Sequence, residues 1–322
     1  MPAKSPDLPN IIIATGAGPF SVLHGSRQIA ESTKRGDVDG CLAVRSVTSE
    51  VPDRSKAILD PDDFTNPKTC AEAMLQGVRE SALGISRLYK NVRRLVVVVF
   101  CNTFHSPQIF SEFEIGIEEL RGTTRSTIDE IKVVNLPRVV VKFLNKELFH
   151  CVPDNEKRVG VLCTSGARQS GIYDSLFGEF GWQVENLPPK EQERLHDAIY
   201  NQYWGLKKQR DSQLASQVVW DAVTYLLQQD VRAIVLGCTE LRFGTKLSVQ
   251  ESSTAAQIIC DMFKEGPLPR IAVAGHQPAI LLDSSTVGAR AAVRASDPNR
   301  LAEIGVSDRV FYLDACLKPS SK

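Results

Sequence analysis

Two of the eight cysteines in this 322-residue chain stand where a thiol can do chemistry. Each follows a short, continuous apolar run. Leu95 to Phe100 leads into Cys101-Asn102-Thr103-Phe104-His105, and Ala233 to Leu236 leads into Gly237-Cys238-Thr239-Glu240. A thiol at a strand-to-helix turn meets free backbone N–H groups and the positive end of the following helix, both of which favour the thiolate. Asn102, Thr103 and Thr239 are placed to cap the turn that follows and to orient the sulfur. If the two halves face each other, the two thiols stand across one cleft. The other six cysteines read as small buried residues. Cys41 and Cys163 fall in predicted strands, Cys70 and Cys260 in predicted helices, Cys151 beside a linker and Cys316 in the tail.

Groups that hold an anion would complete such a site. Gly16-Ala17-Gly18-Pro19 follows Ile11-Ile12-Ile13, but Ser21 stands where a third dinucleotide-type glycine would fall. The turn reads as a tight loop whose N–H groups face a small anion such as a carboxylate, with a plain turn as the alternative. Thr164 and Ser165, before Gly166, occupy the same place after Val159 to Cys163. Arg54, in Pro52-Asp53-Arg54, has the bidentate fork that suits a carboxylate, with a solvated surface arginine as its alternative. Lys207 and Lys208 read, on their own, as a solvated pair. His105 lies four residues after Cys101, but no second ligand pair has zinc spacing, so no metal is expected. Neither a G-x-x-x-x-G-K-[ST] nor a G-x-S-x-G motif is present.

The elements that would position these turns alternate along the chain. A predicted helix starts near Phe20, a second strand covers Cys41 to Val47, and a helix covers Thr69 to Tyr89. Leu95 to Phe100 reads as a strand buried on both faces, and Val133-Val134 as a weaker one closed by Pro137. The pattern restarts near residue 158, with a helix near Gly171 and helices over Glu191 to about Trp204 and Leu214 to Gln228. Ala279 to Leu282 and Ser285 to Ala295 give the last strand and helix. The fold class is α/β: two similar domains, each with a mostly parallel sheet flanked by helices, and the active site in the cleft between them. The expected boundaries are 1–145 with Cys101 and 146–296 with Cys238, joined near Asn145 to Lys157, and a 297–322 tail packing back on the first domain. Val51 to Lys68 and Arg121 to Glu130 read as insertions or functional loops.

Composition narrows the class. Lys and Arg total 38, as do Asp and Glu, so the chain lacks the basic footprint of a nucleic-acid binder. No apolar run approaches the ~20 residues that span a bilayer, and the polar N-terminus has no signal-peptide core. A cytoplasmic protein is expected, with scattered cysteines kept reduced.

Taken together, these motifs resemble the aspartate/glutamate racemase family, which also includes hydantoin racemases, over about Asn10 to Ser296. The resemblance lies in Gly16-Ala17-Gly18-Pro19, in Val51-Pro52-Asp53-Arg54-Ser55 with Ala57-Ile58-Leu59, in Cys101-Asn102-Thr103-Phe104-His105, and in Gly237-Cys238-Thr239-Glu240. Asp283 opens a segment like the family's last turn and helix. Thr15 and Ala17 depart from the family's usual first loop, and Gly288 stands where some relatives have His. The resemblance implies a pyridoxal-phosphate-independent racemase acting on aspartate or glutamate, without a cofactor. Cys101 and Cys238 would be the two bases, and Arg54 would bind a substrate carboxylate. The substrate-holding family lysine is matched to Lys207, and Gly16, Gly18, Asn102, Thr103, Thr164, Ser165, Thr239 and Glu240 would line the substrate. The implied partners are a small acidic amino acid and a second copy in a homodimer, with no nucleic acid and no membrane. Hydantoin racemisation, maleate-type isomerisation and a catalytically inactive binder are the alternatives.

Overall fold

A computed structural model describes residues 10–34, 43–47, 51–89, 92, 94–124, 128–210, 212–244, 262–263 and 266–313. Cys41, Cys260 and Cys316 lie outside them. The first sheet contains β1 (Ile11–Gly16), β2 (Ala43–Val47), β3 (Arg94–Val99) and β4 (Glu130–Val134), in the order β2-β1-β3-β4 with every pair parallel. Successive side chains of a strand point to opposite faces, and here both faces are covered. Ile11, Ile13, Leu95, Val97 and Val99 pack with Met74 and Val78 of α3 (Pro67–Leu88) and Phe113 of α4 (Pro107–Thr124). Ile12, Ala14, Val96 and Val98 pack with Ile29 of α1 (Pro19–Glu31) and with Ala289, Ala292 and Val293 of the C-terminal helix Ser284–Ser296. Double coverage is why β3 reads as an unbroken apolar run. Helix α3 starts two residues before the predicted Thr69, because Asn66 and Thr69 form a capping box ahead of Pro67.

The second sheet contains β5 (Arg158–Leu162), β6 (Gln183–Glu185), β7 (Ala233–Leu236), β8 (Leu268–Ala272), β9 (Ala279–Asp283) and β10 (Val306–Tyr312). Its order is β10-β8-β9-β7-β5-β6, and only β8 and β9 pair antiparallel. Leu162, Leu236 and Leu281 pack against Leu195 and Ile199 of α8 (Pro189–Tyr200) and Val219, Trp220 and Val223 of α9 (Gln213–Leu227). Three of these strands escaped the sequence reading for physical reasons. Strand β6 has three residues, and β8 carries Pro269, which cannot donate to the ladder. The β8–β10 register shifts beside that proline, and β10 is polar over Ser307, Asp308 and Arg309. The segment read as a loop after Val51 contains α2 (Arg54–Leu59), β4 is followed by α5 (Leu136–Phe143), and the helix expected near Gly171 is two: α6 (Ser165–Gln169) and α7 (Ile172–Gly178). Between them, Gly171 takes a φ of 64°, a left-handed value open to glycine.

The described chain forms two compact units, one of residues 1–140 with 285–303, the other of 141–284 with 304–322. The expected boundaries differ from these at the C-terminal end. The last helix joins the first unit because its small apolar face fills the β1–β3 surface. The tail divides. Ala302 donates its N–H to Ser32 O at 2.8 Å within the first unit, whereas β10 extends the second sheet.

Candidate active site

The two cysteine turns hold the same backbone register. Thr15 pairs with Val99, and the next N–H, that of Phe100, donates to Thr15 O at 2.8 Å. Leu162 pairs with Leu236, and the next N–H, that of Gly237, donates to Leu162 O at 2.7 Å. Phe100 and Gly237 are therefore equivalent, and Cys101 and Cys238 follow them. Each lies beyond the carboxyl end of a strand at the seam where strand order reverses, β1/β3 and β5/β7, the place where open α/β sheets bind ligands.

In the first unit, Cys101 is half-buried and extended, and it leads a single 3-10 turn, Asn102–His105. Cys101 itself holds the cap position without a side-chain cap, and Asn102 and Thr103 are buried inside the turn. His105 Nε2 lies 3.0 Å from Val99 O. A carbonyl only accepts, so Nε2 carries the proton. Burial drives the His105 pKa down to about 4, leaving a neutral ring that braces the turn. Arg54 opens α2 behind the cap Asp53, which accepts from Ser55 N at 2.7 Å and Lys56 N at 3.1 Å. Its guanidinium is buried and donates to Pro52 O at 3.0 Å. Cys70 Sγ lies 3.7 Å from the same carbonyl. Burial pushes the Cys70 thiol up to about 11 against the opposing charge of Arg54. Gly16 is packed, since a Cβ there would sit 2.8 Å from Ser21 Oγ, whereas Gly18 has open space beside it.

In the second unit, Cys238 is buried and its thiol donates to Glu240 Oε2 at 3.1 Å. Thr239 Oγ1 donates to the same oxygen at 2.9 Å rather than capping the turn. Burial and the Glu240 charge push the Cys238 pKa well above its ordinary value, opposed by Lys207. Burial works against ionisation of Glu240, but the Lys207 charge and the bonds from Cys238 and Thr239 outweigh it and hold this carboxyl below its ordinary value. Near neutrality the pair is therefore a thiol beside a carboxylate. Lys207 is no solvated charge: its Nζ stands 3.5 Å over the Tyr200 ring, which stacks on His196 at 4.7 Å. The Ser165 N–H, expected to face an anion, donates to His196 Nδ1 at 3.3 Å, and Thr164 Oγ1 caps α6 by accepting from Ala167 N at 3.2 Å.

Residues 119–258 match the family described as Asp/Glu/Hydantoin racemase. Among solved structures, the Picrophilus torridus aspartate racemase is 17% identical, with a TM-score of 0.58 over 89% of this chain and 94% of that one. An aspartate racemase homologue from Pyrococcus horikoshii OT3 is 15% identical, covering 90% and 99% at a TM-score of 0.49. A glutamate racemase isoform from Bacillus anthracis is 14% identical, covering 95% and 91% at 0.46. The first of these likenesses bears on the fold: parallel-dominated sheets flanked by helices. The matched residues include Cys238, Glu240 and Lys207; Cys101 and Arg54 precede them.

Several residues beside Cys238 carried no signal in the sequence. His196 and Tyr200 come from α8, and the partner of His196, Ser165, is 31 positions away in sequence. Arg210 is part-buried, and its charge acts on Glu240. Tyr173, fully buried, sits under the same turn, with its ring carbon 3.1 Å from where a Cβ of Gly237 would be. Among the described residues no cluster of three or more His, Cys, Asp or Glu is set to hold a metal, and no helix is long and apolar enough to cross a membrane.

Proposed function

We propose that this protein interconverts the L- and D-forms of aspartate or glutamate by two-base 1,1-proton transfer, without pyridoxal phosphate. Support comes chiefly from the register: each unit presents a cysteine at the same position past its strand-order switch. The reaction needs one thiolate to take the α-proton from one face of the carbon and one thiol to return a proton to the other. Cys101 and Cys238 take those roles and exchange them in the reverse direction. Cys238, held as a thiol beside the Glu240 carboxylate, is the resting acid. Once Cys238 has given its proton and Cys101 has taken the α-proton, Cys238 is the thiolate and Cys101 the thiol, which is the pair the reverse direction starts from. The Lys207 charge favours the Glu240 carboxylate, and the Glu240 charge acts in turn on Arg210, a balance that also suits a substrate bringing a second carboxylate. Backbone donors at the two turns stabilise the carbanion-like transition state. The proposed setting is the cytoplasm, where both thiols stay free.

Proton NMR in D2O, with no cofactor added, tests this reading. Loss of the α-proton signal from L- and D-aspartate or glutamate, with the opposite enantiomer appearing on chiral analysis, is the expected result. An α-proton that persists with all four acids would refute the proposal.

A further inference from the structure

The second-unit turn is tied to both of its flanking strands. On one side, the Gly237 N–H donates to Leu162 O at the end of β5. On the other, Ser284 Oγ, just past β9, donates to Leu236 O at 2.8 Å and is fully buried. Beyond the turn, Arg242 Nη1 reaches back to Asp283 Oδ2 at 2.9 Å. Asp283 is the residue that pairs with Leu236 across β7 and β9, and its side chain is completely buried. Arg242 is mostly buried as well, and its guanidinium also lies 4.4 Å over the Phe263 ring. The tie therefore spans the stretch from Leu236 to Arg242, and within it lie Cys238, Thr239 and Glu240. A buried ion pair is weak evidence of added stability, because desolvation offsets the attraction, but it fixes geometry tightly.

We propose that the Arg242–Asp283 pair is a positioning device that clamps the Cys238–Glu240 turn to β9, holding the thiol buried and hydrogen-bonded to its carboxylate. Neither residue touches the reacting atoms; both act through the turn. The inference adds to the racemase reading and rests on it only for its effect on turnover, since the placement of Cys238 is readable without turnover.

The experiment compares the full-length protein with Asp283→Asn, Arg242→Gln and the double variant. Its main readout is the rate and pH midpoint of Cys238 alkylation by iodoacetamide, followed by peptide mass. Each single variant leaves a buried charge without its partner, so the turn loosens, Cys238 alkylates about tenfold faster and its midpoint falls toward that of a free thiol. The double variant replaces the ion pair with an amide pair and leaves no lone charge, so it folds and its alkylation returns to within about threefold of the parent. Folded single variants whose alkylation rate and midpoint equal the parent's overturn the proposal. Where a single variant does not fold, the other single and Arg242→Lys decide: faster alkylation of Cys238 with a lower midpoint supports the clamp, and a parent-like rate and midpoint overturn it. If the parent racemises, turnover in the singles falls mainly in kcat, with KM little changed. A parent without turnover whose Cys238 still responds as expected sinks the racemase reading and leaves the clamp standing.

Discussion

The Cys101 and Cys238 turns share a backbone register and almost nothing else. The carbonyl that precedes each turn is held by a side chain in both halves. Val99 O meets His105 Nε2, from the turn's own 3-10 helix, whereas Leu236 O meets Ser284 Oγ, from the end of a neighbouring strand. The residue before the cysteine is Phe100 in one half and Gly237 in the other, and the volume is exchanged accordingly. Phe100 lies against Gly25 of α1, where a Cβ would come within 2.2 Å of its ring, and Gly237 lies against Tyr173 and Cys163. Cys101 is half-exposed; Cys238 is buried and bonded to a carboxylate. The ladder fixes where a thiol emerges, while the side chains around it are free to make one thiol unlike the other.

The hardest blow to that comparison falls on the sulfurs. Cys101→Ala and Cys238→Ala should each lower racemisation by about 10³-fold or more, the scale of a lost general acid or base. Chiral analysis with α-proton exchange checks it, and full activity in either variant would end the two-base reading. Next in size is the packing contrast. Phe100→Ala should cost about 3–5 kcal/mol, because the ring is fully buried and α1 has a glycine where it would need to collapse. Gly237→Ala should cost less, about 1–3 kcal/mol, since the added carbon meets neighbours at 3.1 to 3.2 Å. Urea melts of the two variants rank them, and a reversed order would show that the halves do not exchange volume as described.

The bracing residues differ in their response to acid. His105 is neutral in the folded protein, with its pKa pushed to about 4 by burial from an ordinary 6.5. As pH falls below 6.5 the unfolded chain gains a proton that the folded ring refuses. The stability His105 contributes is therefore full above pH 6.5 and is lost as pH falls through 4, on the order of 3 kcal/mol. Ser284, its counterpart, does not titrate. His105→Asn should accordingly flatten the acid limb of stability between those pH values, whereas Ser284→Ala should lower stability without changing its slope. Smaller again is the effect of charge at the second thiol. Glu240→Gln removes the anion that keeps Cys238 protonated, so the Cys238 midpoint should fall and its alkylation at neutral pH should rise about tenfold. An unchanged alkylation profile would detach Glu240 from Cys238.

Much of this was legible in the sequence. The runs Leu95 to Phe100 and Ala233 to Leu236 are buried on both faces, so composition alone marked them as parallel strands, and the cysteines after them followed. The motif resemblance placed Arg54 and Lys207 near those turns. What stayed hidden depends on long-range placement. Strand β8 with Pro269 and polar β10 lack the pattern of a covered strand, and the last helix joins the first unit through small residues whose partners on the first sheet are more than 150 positions away. Arg54 reads as a free fork, but its position at the start of α2 turns Nη1 back onto Pro52 O. Ser165 reads as an open donor, but its partner His196 sits on α8. Short apolar runs carry local information; hydrogen-bond partners across the fold do not announce themselves.

The smallest expected effect concerns the two helix starts after the first strand of each half. Thr164 caps α6 with its side chain, whereas Gly18 caps α1 without one. Thr164→Ala should therefore cost about 1 kcal/mol. Gly18 has an extended backbone, with φ at −171°, and open space beside it, so Gly18→Ser needs no strained conformation and should gain a few tenths of a kcal/mol by supplying the missing oxygen. Glycine at that position is thus not required by the fold. If Gly18→Ser raises stability and lowers turnover together, the open space beside it is kept for substrate. Unchanged turnover would assign Gly18 no part in binding and move the first-half anion contacts to Arg54 and the Cys101 turn.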